Sequence, residues 1–455
     1  MERRYAARKH EILEDTKLTP QVTRRMLNRL IAFSQPFVST LGRVENRKHA
    51  HEYLEGLLSD LDRKNVESIA YQHDQDRQGL QRFVGVADWD HAPMVDILAD
   101  EIGQTLGEED GVIVFDPSGF PKCGRNSVGV KRQWLGRLGK IDNGQVGIYM
   151  GYATRVECAL VDVRLYLPKD WAQDKARRTK AGVPNEIRFK TRHQLALEML
   201  EAHGSQLPHR WITGDDEMGR PAQFRRELQK LGEQYILATP SNTSVRDLDS
   251  APPEYRGRGR HPKQPFQQVR HWAEAQPSEA WSSIEVRPGE KGPLTLEIMT
   301  TRVLARAYRS RQDAGEELLI VTRYKDSSGK FTYDYYVSNS DPATPLKELS
   351  RVIITEHRIE ELFRRAKGEA GLADYEVRKW GGWYHHQTLS MIALWFLTLE
   401  TLRGKKIHVC PNRFGDTRST RTAITPVLRS SSSGLGKPLH REKKYTSRTG
   451  SILSL

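Results

Sequence analysis

Three carboxylates occupy positions from which they could do chemistry together. Asp116 ends the apolar run "GVIVFD", and Pro117 and Gly119 break the chain just beyond it. Asp215 lies in "WITGDDEMG", after a second short apolar run, and Glu360 lies in "HRIEELFRRAK", whose apolar spacing is helical. If the two runs are neighbouring strands, both aspartates leave the same edge of one sheet, where a glutamate on a helix can meet them. Such a set suits two Mg²⁺ ions about 4 Å apart, with Mn²⁺ able to substitute. Hard cations share carboxylate oxygens and keep positions for phosphate and water. Taken singly, each acid reads as a turn residue or helix cap, so the ordered set carries the reading.

The elements that must position these acids change texture along the chain. Residues 1–108 place apolar residues at three- and four-residue steps among basic ones, as in "VTRRMLNRLIAFSQPFVSTL", and predict a basic helical domain. From 109 to 241 strand and helix patterns mix: "GVIVFD", a long Gly-rich basic loop, "QVGIYMGYA", "ECALVDVRLYLP", helix "TRHQLALEMLEAHG", strand "RWITGD", helix "PAQFRRELQKLG" and strand "QYILATP". Residues 242–346 open on the Pro/Arg/Gly-rich "APPEYRGRGRHPKQP" and continue into strand-like runs, a β-rich insertion. Helices return over 347–403 with Glu360, and 404–455 reads as a basic, partly disordered tail. Three strands, a helix and a strand, with aspartates after the first and fourth strands and a late helical glutamate, is the order of an RNase H-like nucleotidyltransferase core. The predicted fold is therefore α/β, an RNase H-like catalytic core interrupted by a β-rich insertion and preceded by the helical domain.

Composition narrows the partners. The 455 residues carry 71 Lys+Arg against 58 Asp+Glu, a net charge of +13, which favours polyanions through counterion release. The longest strongly apolar run, "MIALWFLTL" at 391–399, falls well short of the roughly 20 residues a membrane helix needs and reads as a buried helix. The charged N-terminus has no apolar core of the secretory kind. Cys123, Cys158 and Cys410 form no CxxC pair, which argues against a disulfide framework or structural zinc. A cytoplasmic, nucleoid-associated protein without a membrane partner is expected.

The blocks "FDPSGFPKCGRNSVGVKRQWLGRLGKIDNGQVGIYMGYA", "RWITGDDEMGR" and "RIEELFRRAKGEAGLADYEVRKWGGWYHHQTLSMIAL" resemble the signature blocks of DDE transposases from bacterial insertion sequences. The resemblance is to the insertion-sequence-701 type, within the branch that places a β-rich insertion before its glutamate. It implies that Asp116, Asp215 and Glu360 are the catalytic, metal-binding triad and that Lys367 is the lysine of the branch's Tyr-Arg-Glu-Lys signature. The signature's tyrosine and arginine positions hold Ile353 and Glu356, so that half of the DNA-end contact is absent or supplied elsewhere. The resemblance further implies cut-and-paste transposition, through hairpin ends in this branch. The partners would be double-stranded DNA, as terminal inverted repeats and target, and a second copy of the chain in the DNA complex.

Lys131, Arg132, Arg137 and Lys140 beside the first aspartate, and Arg24, Arg25, Arg29, Arg43, Arg47 and Lys48 in the helical domain, are candidate phosphate contacts. Trp272 and Trp281 could stack on an extruded base, although a tryptophan is more often core. Adjacent His385 and His386 point about 100° apart on a helix and suit packing or phosphate contact better than one shared metal. Of the neighbours Glu360 and Glu361, the helix face selects Glu360. It returns to within about 20° of Lys367 beside the apolar stripe, while Glu361 falls opposite, among Arg365 and His357. Two other readings remain: a domesticated, catalytically silent regulator of element ends, which the intact triad disfavours, and a two-carboxylate carbohydrate enzyme, which charge and strand order disfavour.

Overall fold

The computed structural model describes residues 20–257, 259–287, 294–325 and 329–407. Of the predicted tail, 404–455, residues 404–407 belong instead to the last described helix and the rest lies outside the described residues, as do residues 1–19 of the expected helical domain. Five helices come first: α1 (Pro20–Ser39), α2 (Val44–Leu57), α3 (Val66–Gln72), α4 (Arg77–Gly85) and α5 (Ala92–Leu106). Short polar caps start two of them, since the Asn65 side chain accepts from Ser68 N and that of Asp76 from Gln78 N.

Strands β1 (Val112–Pro121), β2 (Lys131–Leu135), β3 (Lys140–Ala153) and β4 (Cys158–Leu165) follow, then the helices α6 (Lys169–Gln173), α7 (Lys175–Ala181) and α8 (Arg192–His203). A capping box of Thr191 and Gln194 starts α8. Next come β5 (Trp211–Gly214), α9 (Asp216–Gly219), α10 (Ala222–Lys230) and β6 (Gln234–Ala238). The segment expected to be an insertion holds β7 (Ser244–Asp247), β8 (Gln267–Gln268), α11 (Val269–Glu274), β9 (Ser282–Arg287), β10 (Leu294–Arg306), β11 (Asp313–Lys325) and β12 (Phe331–Ser338), and the last described elements are α12 (Leu346–Glu369) and α13 (Trp380–Ile407).

Among the described residues these strands form one 12-stranded sheet, in the order β2-β3-β1-β5-β6-β12-β11-β10-β7-β8, with β4 on β3 and β9 on β10. β1 is antiparallel to β3 and parallel to β5, and β5 is parallel to β6. Val112–Phe115 of β1 are all buried, as a central strand covered on both faces requires. The insertion's strands continue this sheet, because β12 pairs with β6 through Tyr336 and Ala238.

One apolar core joins the sheet to the first helices, through Phe37, Leu54, Leu80 and Leu98, and to α13. "MIALWFLTL" lies within α13 and is almost wholly buried, and no described helix is long and apolar enough to cross a membrane. A second, smaller core fills the insertion around Val245, Trp272, Val303 and Leu319.

The Gly-rich basic loop expected before β3 is instead a hairpin. Trp134 pairs with Ile141 across β2 and β3, and Gly139 takes the left-handed conformation (φ 60°) that closes the turn. Glycine spacing there marks a tight reversal rather than an extended loop.

Candidate active site

The parallel register of β1 and β5 fixes the first two acids. Phe115 pairs with Gly214, so Asp116 and Asp215 are the next residues beyond the last parallel pair. Asp215 follows the end of β5, whereas β1 does not break at Pro117 and Gly119 as expected but runs on to Pro121 against β3, so Asp116 lies within the strand, opposite Tyr149. Asp215 also caps α9, its Oδ1 accepting from Met218 N at 3.0 Å. The tight turn beyond it depends on Gly219, where a Cβ would meet the Ala238 carbonyl oxygen at 1.9 Å. Across these strand ends runs α12, packed on β1, β3, β5 and β6 through Val352, Ile359 and Phe363, all buried.

Burial and mutual charge dominate the electrostatics. The Asp116 carboxyl is held well above the ordinary aspartate range, first by burial and then by the charges of Asp215 and Glu356; Lys367 offsets part of this and Glu360 adds the least. Burial pushes Asp215 up to about 7 against the hydrogen bond from Met218 N–H, with Glu217 and Asp216 adding to the rise. Glu356 is pushed up to about 8 by burial and then by Asp215. Three crowded, desolvated carboxyls have a high affinity for protons, and a divalent cation would relieve the same repulsion. The donor set, all carboxylate oxygen, fits a hard divalent cation. Among the described residues no three His, Cys, Asp or Glu side chains are gathered round one metal position.

The α12 residues fall differently from their sequence reading. Glu360 stands at the open side of the site, its side chain 72% exposed and 3.7 Å from His357 Nδ1. Lys367 donates from Nζ to Ser118 Oγ on β1 at 2.8 Å. Glu361 faces away, but its partner is Arg364 at 2.8 Å, not Arg365 or His357. Arg365 reaches Glu369 at 3.5 Å, because helical side chains meet at i+3 and i+4. The residue that sequence reasoning passed over is Glu356, set aside as a lost arginine. Its signal was its place in the buried stripe of Val352, Ile359 and Phe363, where an acidic residue needs a reason.

The expected phosphate contacts divide by their partners. Arg24, Arg25, Arg43 and Arg132 are exposed. Arg29 makes a two-pronged pair with Glu400, Arg47 donates to Leu41 O at 2.7 Å, and Lys48 lies 3.6 Å from Glu52. Lys131 pairs with Asp170 and Lys140 with Asp142, each at 3.0 Å and well exposed; the Arg137 side chain lies outside the described residues. Trp272 and Trp281 are corrected from stacking candidates to core residues. Trp272 is 3% exposed and donates to Asp247 at 3.0 Å, and Trp281 packs against Arg323 and Tyr333. Indole rings bury large apolar area, and here they pack into one cluster with Val269, Met299, Val303 and Leu319. His385 stacks on Trp89, and His386 lies against the Tyr53 hydroxyl at 2.8 Å, so both pack.

The chain is similar to several known proteins. A curated relative, the probable transposase for insertion sequence element IS701 of Microchaete diplosiphon, is 30% identical over 207 residues, 44% of this chain and 50% of the relative. The match thus spans about half the length of that protein. Among solved structures, the cryo-EM structure of a piggyBac transposase synaptic complex with hairpin DNA aligns over 90% of this chain and 80% of its own, at 10% identity and a TM-score of 0.40. The DDE superfamily endonuclease family matches residues 36–293, more than half of the chain and a span that includes Asp116, Asp215 and the strands between them, and the chain belongs to that family.

Proposed function

We propose that this protein is a transposase of the insertion-sequence-701 type, which cuts DNA at the ends of its element and joins those ends to target DNA. The observation that carries the reading is the pair Asp116, within β1, and Asp215, just past the end of parallel β5, each one residue beyond the Phe115–Gly214 pair and under α12. Strands β4-β3-β1-β5-β6 are read as an RNase H-like core, with β7–β12 as the insertion and residues 1–108 as the helical DNA-binding domain.

Asp116, Asp215 and Glu360 are assigned the role of holding two divalent cations, Mg²⁺ by preference. When bound, the cations would lower the pKa of an attacking water or DNA 3′-hydroxyl and neutralise charge on the leaving oxygen. The chain's own residues then position the reaction. Asp116, within β1, and Asp215, just past β5, would fix the metal side of the scissile phosphate from adjacent strands of the sheet. Lys367, held by Ser118, sets a positive charge beside Asp116 and is suited to a DNA phosphate. The exposed arginines Arg24, Arg25, Arg43 and Arg132 are the leading phosphate contacts outside the core. Two ends cut in concert call for a homodimer on DNA, and hairpin-ended excision is the product expected of this branch.

The test incubates purified protein with labelled ends of its own element and random DNA of equal length, with Mg²⁺ or with EDTA. Cation-dependent nicking at the element boundary supports the reading. Specific binding with no strand cleavage under any divalent cation would make the protein a silent end-binding regulator instead.

A further inference from the structure

We infer that Glu356 is a direct cation ligand, joining Asp116 and Asp215 from α12; this rests on the reading of the site as a cation-dependent DNA-cutting centre. The geometry points to it in three ways. Taking Glu356 as zero at about 100° per residue, Val352 lies near −40°, Ile359 near −60° and Phe363 near −20°. All three are buried, so Glu356 belongs to the face that α12 turns toward the strand ends. Glu360 lies about 40° to the other side, and its side chain is mostly in solvent beside His357.

Second, Glu356 is half-buried within that stripe whereas Glu360 is exposed, and no hydrogen bond to a described residue holds its carboxylate there. A half-buried carboxylate among apolar neighbours is unfavourable unless something compensates its charge. Third, in keeping with that placement, the charge of Glu356 raises the Asp116 carboxyl ahead of that of Glu360. One turn of helix separates the two, so a cation held by the aspartates meets Glu356 first, and Glu360 closes the open side.

The position is telling because the resembling family's signature places arginine there. A guanidinium could contact a DNA phosphate but could not ligate a cation, so the two roles respond oppositely to substitution. The experiment measures Mn²⁺ binding to the full-length protein without DNA, by calorimetry and by the Mn²⁺ electron paramagnetic resonance signal, alongside cleavage of labelled ends. The variants are Glu356→Gln, Glu356→Arg, Glu360→Gln and Asp116→Asn. Circular dichroism checks the fold, and the near-isosteric glutamine removes a charge that the fold disfavours.

Glu356→Gln is expected to weaken Mn²⁺ binding by at least the roughly 10–100-fold that loss of an outer-sphere partner alone costs. Glu356→Arg should abolish Mn²⁺ binding and cleavage, and Glu360→Gln should weaken Mn²⁺ binding less than Glu356→Gln. Wild-type Mn²⁺ affinity in Glu356→Gln would overturn the inference, as would a Glu356→Arg protein that binds ends more tightly and still cuts them, which would make the position a DNA contact. Unchanged Mn²⁺ binding in Asp116→Asn would instead overturn the cation-site reading on which the inference depends.

Discussion

Replacing Asp215 with asparagine should stabilise the cation-free protein while removing its activity. Burial moves the Asp215 carboxyl from 3.8 to about 7. An acid whose native pKa is raised binds more protons in the native than in the unfolded state, so stability is highest below the unfolded value and falls as pH rises through the native one. Over about three pH units, at roughly 1.4 kcal/mol each, the ionised carboxylate costs the native state about 4 kcal/mol at pH 8. Asparagine carries no charge, and its amide oxygen can keep the cap on Met218 N. In EDTA the variant should therefore unfold at higher urea than the wild type at pH 8, by about 2–4 kcal/mol after relaxation. The gap should close toward pH 4, where both side chains are neutral. Saturating Mg²⁺ should raise the wild type far more than the variant. A variant less stable than the wild type at pH 8, or a gap independent of pH, would refute the argument that desolvated charge is stored at this strand end.

Asp116→Asn is expected to abolish cleavage of element ends while end binding persists in a gel shift, because binding energy comes mainly from phosphate contacts elsewhere; retained cutting would remove Asp116 from the centre. Arg225, buried under the insertion, pairs with Glu317 through Nε at 2.7 Å, and Tyr235 donates to the same carboxylate at 2.7 Å. Arg225→Ala should lower stability in urea unfolding by about 3–5 kcal/mol by leaving the glutamate unpaired, and Arg225→Met with Glu317→Leu should recover most of it. Replacing exposed Arg24, Arg25 and Arg43 together by alanine should reduce the slope of log affinity against log salt by up to about 3, near 0.9 per lost phosphate contact. An unchanged slope would take all three off the DNA.

Local signals in the sequence were enough for the elements that build the strand edge. "GVIVFD" and "RWITGD" announce buried strands because a central strand must be apolar on both faces, and they became β1 and β5. β5 ends before Asp215 as expected, but β1 runs past Asp116 to Pro121, because its long partner β3 goes on pairing with it as far as Gly144. The 3.6-residue spacing around Ile359 and Phe363 likewise marks the face of α12 and separates Glu360 from Glu361. Tertiary structure decided what depends on residues distant in the chain. Pairing of Phe115 with Gly214 makes Asp116 and Asp215 neighbours, and pairing of β12 with β6 extends the sheet into the insertion. It also decided which tryptophans fill a core, and which glutamate on one helical face is half-buried and which is in solvent. Periodicity gives a side chain's direction around its own helix axis, but burial depends on what that direction meets. Glu356 and Glu360 lie about 40° apart, and the strand ends beneath them, more than a hundred residues away in the chain, set their different surroundings.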